Sequence, residues 1–334
     1  MKNTTAKPTL FSLGTLPILF LFTLTSFNLA APNSYSKNSS TLTSIEDSLR
    51  PILPLDYTLL PLEAPMENIR PLKELQDQEL QNKLNTILHS DNRWVALSNN
   101  QSLSIGIVDM LDPMHSRFAA INGDNMMYAA SLPKIAILLA SEDAINRGKL
   151  TETPEIRNDL RMMIAKSSNE AASRMINRVG IEQIASVLQD PSYNLYDKLN
   201  GGGLWVGKPY GKGGSRMGDP LKNLSHAASV MQVCKYYYML AFGQLVSKDR
   251  SKEMLSLLSG PELHHKFVSV LDRVAPNATV YRKSGTWDSW HADSVLVWDE
   301  NRRYIVVVLA NDGGGEKILR DLMLKIDGAL VAKG

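Results

Sequence analysis

Three short runs place reactive side chains at spacings that chemistry can use. Ser131-Leu132-Pro133-Lys134 sets a hydroxyl and an amine three residues apart, one turn of a helix, on the same face. Ser167-Ser168-Asn169 offers a hydroxyl and an amide. Lys283-Ser284-Gly285 offers a second amine and hydroxyl beside a residue with no side chain. Together these groups suit acyl transfer. A hydroxyl at a helix start can attack a carbonyl while its own backbone N–H helps hold the oxyanion. A lysine acts as base only when neutral, so burial or a second cation must lower its pKa from about 10.4. Lys134 opens an apolar run, Ile135 to Ala140, where desolvation is expected.

The remaining residues follow from the same chemistry. Lys283 supplies a cation for a substrate carboxylate, and Ser284 a hydroxyl. Gly285 lets a substrate backbone approach closely. Thr286 offers the second oxyanion N–H, and His291, soon after, is a candidate for contacting substrate. Ser167 can relay a proton to a leaving nitrogen, and Asn169 can hold a substrate amide. Singly, two of the runs are weak. SxxK recurs at Ser34 to Lys37, and SxN at Ser26, Ser36, Ser90, Ser98 and Ser192. The third occurs once. The bland alternative is a helix capped by Ser131 with two surface lysines. Order and context favour a site.

Those residues need elements to hold them. Apolar spacing predicts a helix over 72–88, then a strand over 102–110 that pairs with 117–121. A long helix starts at Ser131, and helical segments continue to about Leu258. Three strand-like runs follow, over 279–287, 293–298 and 304–310, then an amphipathic helix over 316–331. Strands at both ends with helices between predict an α/β (α+β) fold. Its single five-stranded antiparallel sheet is built from both termini, flanked by helices, with a helical subdomain inserted. The glycine-rich stretch 201–214 lacks phosphate-loop order and reads as a flexible pocket-edge loop. Trp205, Tyr210, Trp287 and Trp290 are candidate pocket walls.

Upstream, Lys2 and Lys7 precede an apolar run over 10–31, the layout of an export signal or membrane anchor, so the expected location is the periplasm or the outer face of the inner membrane. Residues 32–71, rich in Ser, Asn, Thr and Pro, read as a flexible tether, and 72–334 as the folded domain. The 334 residues are 44% hydrophobic and 21% charged, with a formal net charge of +2. That is a globular composition with no footprint for nucleic acid. Cys234 stands alone and reads as a buried, inert thiol. The six histidines show no ligand spacing, so no metal and no cofactor are expected.

In that order, the three runs resemble the motifs of the class A β-lactamase and penicillin-binding-protein superfamily. The similarity spans about 72–334. MMYAASLPKIAILL resembles the nucleophile helix and SSNEAASRMI the second motif. RKSGTW, ADSVLVW and YIVVVLAND resemble the last three strands. The resemblance implies a β-lactamase/transpeptidase-like fold, with Ser131 acylated and Lys134 as its base. It also implies that Ser167 and Asn169 form the second motif, and Lys283, Ser284 and Gly285 the third. The expected donors are β-lactams or acyl-D-Ala-type peptides.

Four departures stand out. Ser131 and Ser167 are closer than is usual for class A enzymes. Ser168 replaces the usual aspartate. No arginine lies on 293–298. No glutamate lies between Gln183 and Lys252, where the deacylating carboxylate would fall, and Asp197 is the best substitute there. Two alternatives follow: a D,D-carboxypeptidase or related peptidase that β-lactams inhibit, and a binding module that has lost turnover.

Overall fold

A computed structural model of the chain describes residues 59–331, apart from 66, 68 and 212. The expected export segment over 1–31, and the tether up to residue 58, lie outside the described residues. The helices are α1 (Gln78–Leu88), α2 (Asn92–Asn99), α3 (Lys134–Asn146), α4 (Pro154–Ala165), α5 (Asn169–Val179), α6 (Ile181–Gln189), α7 (Val230–Ala241), α8 (Lys248–Leu258), α9 (Phe267–Val274) and α10 (Gly315–Leu330). The long strands are β1 (Leu103–Asp109), β2 (Arg117–Ile121), β8 (Thr279–Trp287), β9 (Trp290–Trp298) and β10 (Arg303–Asn311). Five two- or three-residue strands lie between, β3 (Met127–Tyr128), β4 (Tyr196–Asp197), β5 (Gly202–Gly203), β6 (Trp205–Val206) and β7 (His226–Ala228).

The long strands form one sheet in the order β2-β1-β10-β9-β8, antiparallel throughout. Strands from the two ends of the domain therefore meet at β1 and β10, as the sequence pattern predicts. Both faces are covered, which explains why β10 is apolar at nearly every position rather than alternating. Tyr304, Val306 and Val308 pack with Leu80, Leu84, Leu271 and Leu322 on one side. Ile305, Val307 and Leu309 join the cluster containing α3 and α7 on the other. Each such side chain contributes about 1.5–3 kcal/mol on full burial. Cys234 of α7 is fully buried, and its sulfur would lie 2.8 Å from a Cβ placed on Gly106 of β1. Burial pushes its thiol well up, away from reactivity.

Four details differ from the pattern. The helix expected over 72–88 breaks in two: Leu72–Leu75 is 3-10, Gln76 bridges to Phe118, and Asp77 caps α1 by accepting from the Leu80 amide at 2.7 Å. The helix expected to start at Ser131 takes α-geometry only from Lys134. A tighter turn precedes it, with Leu132 N bonded to Ala129 O, Lys134 N to Ser131 O and Ile135 N to Leu132 O. Helix α9 was not foreseen. It is only eight residues long, and Lys266 precedes it at φ 53°. Finally, residues 60–64, expected to belong to the tether, lie against the domain. Leu60 and Leu62 pack on the core, and Glu63 pairs with Lys248 at 2.6 Å.

Candidate active site

Helices α3 and α5 and strand β8 converge where the three motifs meet. Lys134, on the first turn of α3, is fully buried. Its Nζ donates to Ser167 O at 2.6 Å and Asn169 Oδ1 at 2.8 Å, and lies 3.4 Å from Ser167 Oγ. Lys283 Nζ, on β8, bonds Ser167 Oγ at 2.9 Å and Ser284 O at 2.9 Å. The Ser167 hydroxyl therefore sits between two amines from different elements. Ser167 holds a left-handed backbone, φ 57°. The next residue, Ser168, caps α5 by accepting from the Ala171 amide, and it donates to Glu170 at 3.0 Å. Ser168 thus fills the cap position of α5.

Ser131 lies in the turn before α3, and Ala130 ahead of it has φ 50°. Strand β8 presses on this turn. A Cβ on Gly285 would fall 2.3 Å from Ala129 O and 2.7 Å from Ser131 N, so no side chain fits there. Ser131 and Thr286 line one cleft of about 650 Å³, with Asn169 and Tyr210 beside them. The Tyr210 hydroxyl donates to Ala130 O at 3.2 Å, and Lys134 Nζ stands 4.5 Å from the centre of the Tyr210 ring. The Tyr210 ring packs on His226 at 4.2 Å. His226 Nε2 donates to Lys208 O at 3.1 Å.

Burial dominates the electrostatics. It lowers Lys134 to about 7, against a smaller upward pull from Glu170. It holds Lys283 well below the usual lysine range, helped by the Lys134 charge. It lowers His226 to about 4, which leaves the ring neutral at pH 7. A neutral buried lysine one turn from a hydroxyl can accept its proton, and the Ser131 turn with β8 can hold an oxyanion.

Ser131, Lys134, Ser167, Asn169, Lys283, Gly285 and Thr286 thus come together. Ser284 is buried beside them, and its carbonyl accepts from Lys283. His291 does not join them. Residues alternate along β9, so Trp290 lines the cleft while the His291 ring meets Gly315 at the start of α10. Trp205 is interior, its ring tilted against Tyr196 at 4.8 Å and its Nε1 bonded to Met217 O. Asp197 closes a turn, accepting from Asn200 at 2.6 Å and Leu199 N at 3.0 Å, and is not a cleft residue. No carboxylate is among the described residues that line the cleft. Gly202 and Gly203, in the stretch expected to be a flexible edge, form the buried strand β5, and Gly211 reaches the cleft. Sequence reasoning missed Tyr128 and His226, which have no motif, and Lys266, a buried cation behind β8. Lys266 Nζ bonds Gly285 O at 2.6 Å, Thr286 Oγ1 at 2.7 Å and Ala292 O at 3.1 Å.

Residues 151–331, more than half of the chain, match the family described as the beta-lactamase enzyme family. The chain belongs to this family. The matched span starts after Ser131 and Lys134, and includes the second and third motifs. The fold of this β-lactamase-family chain is similar to that of a β-lactamase from Sphaerobacter thermophilus, at 17% identity over 71% of this chain and 94% of that one, with a TM-score of 0.57. It is equally similar to a mutant of PBP-A solved as its acyl-enzyme complex with penicillin G, at 19% identity over 78% and 98%, TM-score 0.57. The chromosome-encoded β-lactamase of Vibrio parahaemolyticus matches at 11% identity over 73% and 98%, again with a TM-score of 0.57. No curated protein matches the chain.

Proposed function

We propose that the chain is an exported serine hydrolase that forms an acyl-enzyme through Ser131, with β-lactams or acyl-D-Ala-type peptides as donors. The observation that carries this is the Ser167 hydroxyl held between Lys134 and Lys283 beside the Ser131 turn. Ser131 Oγ bonds to the donor carbonyl carbon and its proton passes to Lys134. The bond to the leaving nitrogen then breaks, and Ser167 relays a proton to that nitrogen. The Ser131 and Thr286 amides hold the transient oxyanion. Lys283 and Ser284 receive the donor carboxylate, and Asn169 its amide. The apolar run over 10–31 supports export.

Deacylation needs a water and a base within reach, and the described cleft supplies no carboxylate. General-base catalysis is typically worth about 10²–10⁴-fold, so release of a penicillin is slow by about that factor. This favours a peptidase that β-lactams inhibit over an efficient β-lactamase. Intact-mass measurement with benzylpenicillin tests the reading. An adduct on Ser131 should persist for minutes or longer and be absent in Ser131→Ala. Labelling of Ser131→Ala removes the nucleophile assignment, and fast nitrocefin turnover without an adduct removes the slow-release step.

A further inference from the structure

Lys266 is a buried cation that the proposed chemistry leaves without a task. It stands just ahead of α9, holds a left-handed backbone at φ 53°, and is fully buried. It is not among the described residues that line the cleft. Burial lowers it to about 8, against an upward pull from Asp293, so it keeps its proton at pH 7. A charge is costly to bury unless its donors are all taken. An ammonium has three N–H donors. Lys266 Nζ meets three oxygens, Gly285 O at 2.6 Å, Thr286 Oγ1 at 2.7 Å and Ala292 O at 3.1 Å. The segment that carries it is tied down by Arg282, which donates to Leu263 O and His265 O, and by Asp293, which accepts from the Phe267 amide.

Two of those oxygens belong to residues paired across the strands, Gly285 of β8 and Ala292 of β9. The Gly285 carbonyl therefore points to the β9 side, where the ammonium sits. Strand β8 is the edge of the sheet. A peptide unit is planar and trans, so the N–H of Thr286 points the opposite way, out of that edge. Thr286 lines the cleft with Ser131, and Gly285 lies against the Ser131 turn. The cation thus holds one side of a peptide whose other side faces the cleft. A positive charge on the carbonyl draws electron density from the amide, and the N–H becomes a stronger donor. We propose that Lys266 is a positioning residue for the oxyanion site, fixing the Gly285–Thr286 peptide and strengthening its N–H through the carbonyl. A neutral strut could fix the strand, but only a charge strengthens the donor.

The proposal rests on the acyl-enzyme reading, and the test separates the two. Acylation by benzylpenicillin is compared in the native chain and in Lys266→Met, which keeps the length and loses the charge. A whole oxyanion donor is worth about 10²–10³-fold, so weakening one should slow acylation on the order of tenfold. The loss should fall on the rate constant rather than on the half-saturating concentration. The ester carbonyl of the adduct should absorb at higher wavenumber, because its hydrogen bonds are weaker. Lys266→Gln, which keeps a neutral N–H, should show the same changes in smaller degree, and it decides the case if the methionine variant does not fold. An unchanged acylation rate, or a slower rate with an unmoved carbonyl band, overturns the proposal and leaves the hydrolase reading intact. The Thr286 amide gives a readout that needs no acylation. Glycine labelled at its carbonyl carbon and threonine labelled at nitrogen mark only the peptides Gly14–Thr15 and Gly285–Thr286. The Thr286 nitrogen resonance should move upfield in Lys266→Met. A native chain that takes no penicillin while this resonance moves removes the hydrolase reading and keeps the polarised peptide. An unmoved resonance overturns the proposal in either case.

Discussion

Ser167 and Ala130 both hold positive φ without being glycine, at 57° and 50°. Such residues cost of order 1–3 kcal/mol and persist where the surroundings over-determine them. Here one aims a hydroxyl between two amines, and the other precedes Ser131, the proposed nucleophile. In the proposed reaction Lys134 is the group whose protonation decides the rate. With its pKa lowered to about 7, acylation should rise with pH through about 7 and then level, as the neutral amine becomes the main form. Lys134→Arg keeps a cation in place but cannot deprotonate. It should lose about 10²–10⁴-fold in acylation at every pH. Pre-steady-state acylation from pH 5 to 9 checks both, and a flat native profile would remove Lys134 as the base. Spacing and order alone made Ser131, Lys134, Ser167 and Lys283 legible in the sequence. Tyr128, Tyr210 and His226 are joined by ring packing and single hydrogen bonds across distant segments, which leave no local pattern. The sequence did mark Tyr210 as a candidate wall, but not its place beneath Lys134.

At the scale of elements, β8 and the turn before α3 act as one unit, and Gly285 is their point of closest approach. Gly285→Ala would force the two backbones apart by pressing a methyl onto Ala129 O and Ser131 N, neither of which can swing aside. Overpacking of this kind typically costs about 1–3 kcal/mol, and the displaced Ser131 and Thr286 amides should cost acylation more than the fold loses. A lowered urea midpoint together with acylation reduced by at least about tenfold is expected. Unchanged acylation would show that the contact does not position the site. The strands were legible because both faces of the sheet are buried, which makes long apolar runs. Helix boundaries were less so. The 3-10 turn at Ser131 and the break at Gln76 are set by hydrogen bonds to Ala129 and by the bridge to Phe118, and periodicity sees neither. Helix α9 buries Phe267, Val268, Val270 and Leu271, a pattern too short to separate from a loop.

Among the described residues, three buried lysines gather around β8, and the nearby buried carboxylate, Asp293, is paired with Arg282 at 2.8 Å. Lys134 and Lys266 are lowered to about 7 and about 8, and Lys283 well below its usual range, each chiefly by loss of solvent. The unfolded chain binds these protons up to about pH 10.4, while the folded chain gives up those of Lys134 and Lys266 near 7 and 8, and that of Lys283 well below its usual range. Between those values the unfolded state carries more protons, so stability rises with pH. The penalty is fully present below the folded pKa. At one pKa unit per about 1.36 kcal/mol, it is on the order of 4 kcal/mol for Lys134 at neutral pH. This is stability the fold gives up for a base that works. Urea midpoints measured from pH 6 to 9 should therefore climb, with a gain on the order of 3 kcal/mol between pH 7 and 9. Above that window, burial of Tyr236 and Tyr237 reverses the sign. Both phenols are raised when folded, so the unfolded chain loses their protons first. Lys134→Met removes one of the three contributions and should be more stable than the native chain at pH 7, with a shallower climb. A native midpoint that is level or falls from pH 7 to 9 would mean that these lysines are solvated in the folded protein, and Lys134 would then lack the lowered pKa that its role requires.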